Sequence, residues 1–68
     1  MLVEIQLKID TQKYDKIQEL NLSGDELFAL LNSNTVIIPI NDRVSFRPVI
    51  ERVFDIDTRK LIIVLDNR

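Results

Sequence analysis

The last third of the chain contains two runs of residues that favour β-strands, separated by a short polar segment. The first run is VIERVFDID, residues 49–57, and the second is LIIVLD, residues 61–66. β-Branched and aromatic side chains dominate both runs, and the residues between them are polar. Two such runs joined by a short polar turn are typical of a β-hairpin. We therefore predict that the rest of this short chain packs against a C-terminal hairpin.

The length of the chain, 68 residues, is sufficient for a single domain with a small core. The chain has no cysteine and no histidine, so neither disulfides nor the usual structural zinc sites can stabilise it. Oligomerisation is the remaining common means of stabilisation. Absence of cysteine suits a reducing compartment and no signal-like segment opens the chain, so we expect a cytoplasmic protein. The apolar run LIIVL is too short to cross a bilayer, and we expect no membrane association.

The first ten residues show the pattern of a strand with one wet face. Apolar and polar side chains alternate without interruption over residues 2–10. We interpret residues 14–20 as the second strand of a hairpin that closes at Thr11-Gln12. The apolar positions change phase between Ile17 and Leu20, and a helix over the same residues is the alternative that the pattern leaves open. The hairpin register predicts that Lys8 lies opposite Asp15 and that Ile9 lies opposite Tyr14.

A helix is predicted for about residues 24–33. Ser23 followed three residues later by Glu26 is a capping box, in which each side chain satisfies a backbone amide of the other residue. Asn32-Ser33-Asn34 supplies a terminator, because asparagine can take the left-handed conformation usual for a C-terminal glycine. A helix of about ten residues is too short to be stable alone, so it must lie on the sheet. Its predicted buried stripe is Leu27, Leu30 and Leu31.

Two prolines constrain the strands that follow the helix. Residues 35–40 (TVIIPI) predict a strand, and Pro39 places it at an edge or a strand end, since proline cannot donate to a ladder. A turn follows at residues 41–43. Residues 44–54 are long for one strand, and Pro48 implies a bulge, a bend or a break within them.

The elements together predict an α+β fold comprising one domain, residues 1–68. We expect a small, mostly antiparallel β-sheet of four or five strands with one short helix packed on one face, in the order β-(β)-α-β-β-β. This order resembles that of the ubiquitin-like β-grasp fold in the order of elements alone, and the residues identify no family. The predicted core is Val3, Ile5, Leu7, Leu27, Leu30, Leu31, Val36, Ile38, Phe54 and Ile63.

The residue types argue against catalysis. The chain has no histidine, no cysteine, no glycine-rich phosphate loop and no serine in a nucleophile elbow. We expect no enzymatic activity, no required cofactor and no metal site. Asp55 and Asp57 could together hold a hard cation. Their spacing is explained more simply by two acids that flank a hairpin turn and pair with Arg59 and Lys60.

The C-terminal hairpin predicts a binding surface, because it has apolar residues on both faces. With Thr58-Arg59 as a two-residue loop, one face of the hairpin points outward and carries Val53, Ile62 and Val64. The residues predicted to face the core are Ile50, Phe54, Ile56, Leu61, Ile63 and Leu65. One short helix cannot cover both sides of the sheet, so we predict a protein-interaction module, a homodimer or the accessory partner of a larger protein. The alternative is that the N-terminal strands or residues 44–48 fold over this face and cover it. The register itself depends on the loop length. The predicted partner-binding residues are Val53, Ile62 and Val64, with Glu51, Asp55 and Lys60 at the rim.

Binding of single-stranded nucleic acid is the second functional hypothesis. All arginines lie in the second half of the chain, and three of them are interleaved with phenylalanines that could stack on bases. The formal net charge is only −2, and acids in the same half weaken attraction to phosphate. The simpler explanation is that Phe46 and Phe54 are core residues. The arginines are then solvated or paired with Asp42, Glu51 and Asp55. The nucleic-acid hypothesis uses Arg43, Phe46, Arg47 and Arg52.

Overall fold

The computed structural model describes residues 1–67 as a five-stranded mixed sheet with one helix. Within the sheet the strands lie in the order β2-β1-β5-β4-β3. Three of the neighbouring pairs are antiparallel, and the central pair of β1 and β5 is parallel. The predicted α+β class, strand number and single helix are confirmed, and mostly antiparallel is an approximate description of this sheet. The elements are β1 Leu2–Lys8, β2 Tyr14–Asn21, α1 Gly24–Leu31, β3 Thr35–Ile40, β4 Arg43–Asp55 and β5 Lys60–Asp66.

The core lies on the helix side of β1 and β5. Alternation along the two central strands places Val3 beside Leu61 and Ile5 beside Ile63, and all four side chains are buried. Leu27 and Leu30 of α1 pack against this cluster. The fully buried cluster is Val3, Ile5, Leu7, Ile38, Leu61, Ile63 and Leu65.

Two of the predicted core residues are exposed. Leu31 is 40% exposed and Phe54 is 48% exposed. Leu31 is the last residue of α1, and Phe54 is the penultimate residue of β4. Both thus lie at the end of an element and do not belong to the buried cluster.

Residues 14–21 form a strand, as the hairpin interpretation predicted. Between Ile5 and Gln6 of β1 the pairing with β2 shifts by one residue, and Ile17 is the additional residue. This β-bulge explains the change of phase, because it lets both Ile17 and Leu20 pack against the core.

The predicted register of the first hairpin is wrong by one residue. Lys8 pairs with Tyr14, and Leu7 pairs with Asp15. The loop is longer than two residues because the Asp10 carboxylate accepts hydrogen bonds from the backbone amides that follow it. The two distances to Asp10 Oδ1 are 2.9 Å from the Gln12 nitrogen and 3.1 Å from the Lys13 nitrogen.

The capping box at the start of α1 is confirmed. Ser23 Oγ accepts from the Glu26 amide at 3.2 Å, and a Glu26 carboxylate oxygen accepts from the Ser23 amide at 2.9 Å. These bonds hold the pKa of Glu26 below its ordinary value, because they stabilise the charged carboxylate.

The end of α1 differs from the prediction. Asn32 has a φ of −100° and is not left-handed. Side chains satisfy the last carbonyls instead: Asn32 Nδ2 donates to the Phe28 oxygen at 2.8 Å, and Ser33 Oγ donates to the Ala29 oxygen at 2.7 Å. Arg52 of β4 adds a bond of 3.0 Å from Nη2 to the Ser33 oxygen, which places a cation at the negative end of the helix.

Strands β3 and β4 form a hairpin at one edge of the sheet, as Pro39 predicted for β3. The turn consists of Asn41 and Asp42, with φ values of 51° and 63°. Positive φ at both central residues is the pattern of a type I′ turn, which asparagine and aspartate tolerate better than most residues. β4 is continuous over 13 residues, and it bulges at Ile50, two residues after Pro48.

The C-terminal hairpin, formed by β4 and β5, has a four-residue loop, residues 56–59. The predicted two-residue loop is therefore wrong. Asp55 pairs with Lys60, because Asp55 Oδ1 accepts from the amides of Asp57 at 3.0 Å and Thr58 at 3.4 Å. The same bonds keep the pKa of Asp55 below its ordinary value. Arg59 closes the loop with a φ of 55°. The register changes by two residues, so the side chains of residues 51–55 and 61–65 keep their predicted faces. Ile50 and Ile56 were predicted to face the core, but Ile50 lies in the bulge and Ile56 in the loop, and both are exposed.

Candidate interaction surface

The β3–β4 hairpin carries an apolar face that points away from the core. Val36, Ile38 and Ile40 of β3 pack inward. The alternate residues of β3 and their partners on β4 therefore lie on the opposite face. We define these five residues as the hairpin patch: Ile37, Pro39, Val44, Phe46 and Pro48.

The members of the hairpin patch are in register and exposed. Ile37 is directly opposite Phe46, and Pro39 is directly opposite Val44. Their exposures are 61% for Ile37, 68% for Phe46 and 70% for Val44. No member is charged, and the cross-strand pairs make the five side chains contiguous. A contiguous exposed apolar face on a small protein is typical of an interaction site.

The sequence analysis missed the hairpin patch, although a signal for it was present. The apolar residues of TVIIPI occupy both faces of β3, so one set has to face outward. Val44, Phe46 and Pro48 alternate with polar residues on β4. A two-residue turn at Asn41-Asp42 would have aligned the two outward sets.

The predicted apolar patch on the C-terminal hairpin is largely covered. Val64 is only 2% exposed, so the prediction that it faces solvent is wrong. It lies on the central strand β5 between Gln6 and Glu51, whose side chains are longer than its own. Ile62 is half-buried, and Val53 is 39% exposed. The predicted rim residue Glu51 is exposed.

Lys60 belongs to a charge cluster on the outer face of the sheet rather than to an apolar rim. Its Nζ donates to Glu4 at 3.2 Å and to Glu19 at 3.0 Å. Lys16 Nζ lies 3.0 Å from the same Glu19 carboxylate and 3.9 Å from Glu4. Four side chains on β1, β2 and β5 are thus joined with equal numbers of positive and negative charges.

Contacts in the charge cluster contribute to shifts in the pKa values of Glu4, Glu19 and Lys60. The pKa of Glu4 is lowered, first by the hydrogen bond from Gln6 and then by Lys60. The pKa of Glu19 is lowered by Lys16 and Lys60. The pKa of Lys60 is raised because it donates to two carboxylates.

The four residues of the nucleic-acid hypothesis do not share one face. Arg43 and Arg47 pair with inward-facing residues of β3, whereas Phe46 belongs to the hairpin patch on the opposite face. Beyond the bulge, Arg52 pairs with the buried Ile63 and thus lies on the same side as the other two arginines. We call Arg43, Arg47 and Arg52 the arginine face.

None of these arginines forms an ion pair within residues 1–67, where all salt bridges involve Lys16 or Lys60. Of the two predicted alternatives, pairing with the acids is therefore wrong for residues 1–67, whereas Arg43 and Arg52 are solvent-exposed, as the other alternative predicted. The expectation that Phe46 is a core residue is wrong, because it is 68% exposed. Arg47 Nε is buried and has no hydrogen-bond partner.

Two shallow clefts lie at the ends of the strands. One, of about 430 Å³, is lined by Lys8, Ile50 and Asp66 among others, and the second, of about 310 Å³, is lined by Phe54, Ile56 and Arg59. Over residues 1–67, no three aspartate or glutamate side chains are grouped closely enough to hold a metal ion. In the same residues, no helix is long and apolar enough to cross a membrane.

No protein-family model, no curated protein and no solved structure matches this chain. The candidate function is argued from the surface of the molecule itself.

Proposed function

We propose that this protein is a small, non-enzymatic protein-interaction module that forms a homodimer through the hairpin patch. The observation that carries the proposal is an uncharged apolar face formed by paired residues of two strands, with Phe46 68% exposed near its centre. Burial of such a face against another protein removes apolar surface from water, which is the main driving force for association.

A second copy of the chain suits this face because a twofold interface has to be complementary to itself. An apolar face without charges meets that requirement, since no like charges are brought together. A chain of 68 residues without cysteine also gains more from oligomerisation than a larger domain does.

The size of the face predicts a weak dimer. At roughly 100 Å² per residue, the five side chains offer about 500 Å² per protomer, or about 1,000 Å² in total, near the lower limit of specific interfaces. We therefore expect a dimer that dissociates at micromolar concentration.

Face-to-face packing is favoured over pairing of the free β3 edges. In a two-residue hairpin, Ile40 and Arg43 exchange backbone hydrogen bonds, and the next pair, Pro39 and Val44, does not. The nitrogen of Pro39 thus faces the free edge of β3, where it cannot donate to another strand. Proline at such a position opposes edge-to-edge association.

Sedimentation equilibrium over a range of about 5 to 500 µM tests the proposal. For the wild type we expect the average mass to rise from one chain towards two across this range. Phe46→Lys should remain a monomer at every concentration, because it would bury a charge in the apolar interface. Phe28→Lys is the matched control, since Phe28 is equally exposed, at 71%, but lies on α1.

A wild type that stays monomeric at the highest concentration would contradict the homodimer. Equal loss of dimer in Phe28→Lys and Phe46→Lys would contradict the assignment of the interface to the hairpin patch. Circular dichroism of each variant confirms that the compared chains are folded.

The alternative function, binding of single-stranded nucleic acid, has less support from the geometry. The three arginines share a face and form no ion pair within residues 1–67, as that hypothesis requires. Phe46 cannot serve it from the opposite side of the hairpin. A groove that binds single strands without sequence preference uses aromatic platforms next to its cations.

A further inference from the structure

We propose that the arginine face of β4 is a second binding site, which takes an extended acidic segment of a partner protein through its carboxylates. This site lies on the opposite side of the hairpin from the hairpin patch, so it does not depend on the homodimer. Its components are Arg43 and Arg47 near the turn, and Arg52 beyond the bulge.

The arginine face is positively charged, and no acidic side chain lies between its three arginines. The residues that lie between the three arginines on this side are Ser45 and Val49, and neither carries a charge. Asp42 lies in the turn, and Glu51 points to the other face of β4 because it pairs with Val64. Guanidinium groups that lack carboxylate partners are ready donors for an external oxyanion.

The unsatisfied Nε atom of Arg47 is a second, independent indication that the arginine face binds a ligand. Its Nε is buried without a hydrogen-bond partner, whereas the side chain as a whole is only half-buried. A buried donor that is not satisfied within the chain is costly, and a carboxylate bound at this guanidinium would satisfy it. Arg52, by contrast, uses one nitrogen for the Ser33 oxygen.

The spacing of the arginines fits an extended chain. Arg43 and Arg47 are four residues apart on one strand, which corresponds to roughly 13 Å. Side chains at alternate positions of an extended segment point to the same side, so acidic residues two or four apart can reach both arginines. Because the spacing of the arginines matches that of alternate side chains in an extended chain, the site favours an extended acidic segment over a compact anion.

Carboxylates are favoured over the phosphates of a nucleic acid because no aromatic side chain lies between the arginines of this face. Phe54 lies on the same side of β4, but beyond Arg52 and away from Arg43 and Arg47. Phe46, the aromatic residue nearest in sequence to Arg47, points to the other side of the hairpin. Planar carboxylates pair with guanidinium groups through two parallel hydrogen bonds and require no stacking.

Fluorescence anisotropy tests the site with a defined probe, a fluorescein-labelled peptide of about twelve residues in which glutamate and threonine alternate. The comparison ligand is a labelled oligothymidylate with the same number of negative charges, at about 50 mM NaCl. We expect saturable binding of the peptide and weaker binding of the oligothymidylate. Arg47→Gln should weaken peptide binding by about tenfold or more.

Arg59→Gln is the matched control, because Arg59 is an exposed arginine in the β4–β5 loop. It should change the affinity by less than about twofold, as expected for an unspecific charge at this salt concentration. Arg43→Gln provides a second test at an exposed position, in case Arg47→Gln perturbs the fold. The Nε–Hε resonance of Arg47 should shift on titration of the wild type.

Three results would overturn the proposal. They are the absence of saturable peptide binding, equal weakening by Arg59→Gln and Arg43→Gln, and tighter binding of oligothymidylate, which would assign the face to nucleic acid. Phe46→Lys should retain peptide binding in full. The two proposals can therefore fail independently. Absence of the dimer with retained peptide binding contradicts only the homodimer, and the reverse result contradicts only the peptide site.

Discussion

Lys60 connects β5 to β1 and to β2 by one hydrogen bond each, although β5 is distant from both strands in the sequence. Glu4 and Glu19 lie directly opposite each other on β1 and β2, and Lys60 of β5 donates to both. Like charges at opposed positions of a sheet destabilise it, so Lys60 turns a repulsive pair into an attractive cluster. The lowered pKa values of the two glutamates and the raised pKa of Lys60 express this stabilisation.

Replacement of Lys60 by methionine should lower the melting temperature by a few degrees at neutral pH and by less in acid. Because the glutamate pKa values are lowered in the folded state, their stabilisation is present above the ordinary value of 4.5 and is lost as the pH falls below it. The raised pKa of Lys60 makes its own contribution present below 10.5 and lost at higher pH. The difference between wild type and Lys60→Met should therefore be largest between these limits.

Thermal melts of both chains at about pH 3 and pH 7 measure this difference, with Lys13→Met as the control. Lys13 is exposed in the loop after β1, and its ammonium has no ion pair within residues 1–67. An equal loss of stability at the two pH values would show that Lys60 acts through its aliphatic stem and not through its charge.

At the scale of elements, α1 depends on its ends and on the sheet. It has only 8 residues, and none of them is fully buried. The capping box satisfies amides at its start, while Asn32, Ser33 and Arg52 satisfy carbonyls at or near its end. A helix of this length is not stable in water alone, so these polar contacts and the packing of Leu27 and Leu30 have to act together.

Ser23→Ala should reduce the free energy of unfolding by about 1 kcal/mol, because it removes the side-chain oxygen that accepts from the Glu26 amide. Ser23→Thr retains the hydroxyl group and should cost only a few tenths of that amount. Urea denaturation followed by far-ultraviolet circular dichroism measures both variants. Indistinguishable midpoints for alanine and threonine would mean that the cap does not contribute to the stability of the domain.

At the scale of the whole molecule, the core is centred on the parallel pair of β1 and β5. β1 and β5, the first and last strands, thus form the middle of the sheet, with β2 on one side and the β3–β4 hairpin on the other. This arrangement makes the buried residues of β5 more important for stability than those of the helix. Ile63 is completely buried, whereas Leu31 is 40% exposed.

Ile63→Ala should cost about 3 to 5 kcal/mol, since it removes buried methyl groups and leaves a cavity in the centre of the core. A domain of this size has only about 3 to 10 kcal/mol of stability, so much of the variant should be unfolded. Leu31→Ala should cost less than about 1 kcal/mol, because its side chain is already partly in water. Urea midpoints that rank the two variants in the reverse order would contradict the position of the core.

Local physical chemistry made much of this fold predictable from the sequence. Alternation of apolar and polar side chains defined β1, and the spacing of Ser23 and Glu26 defined the start of α1. Proline, which cannot donate a backbone hydrogen bond, correctly placed Pro39 on an edge strand and a bulge next to Pro48. Each of these features depends on residues within a few positions of one another, so the sequence contains all the information needed.

The registers and the exposed surface were decided by the tertiary structure. Loop lengths changed because Asp10 and Asp55 accept backbone hydrogen bonds that lengthen their turns. Val64 is covered because β5 lies between β1 and β4, an arrangement that joins residues more than fifty positions apart. The same strand order leaves the outer side of the edge hairpin, with Phe46, without a cover. Alternation along a strand sorts side chains into two faces, but only the packing of the other elements determines which face meets water.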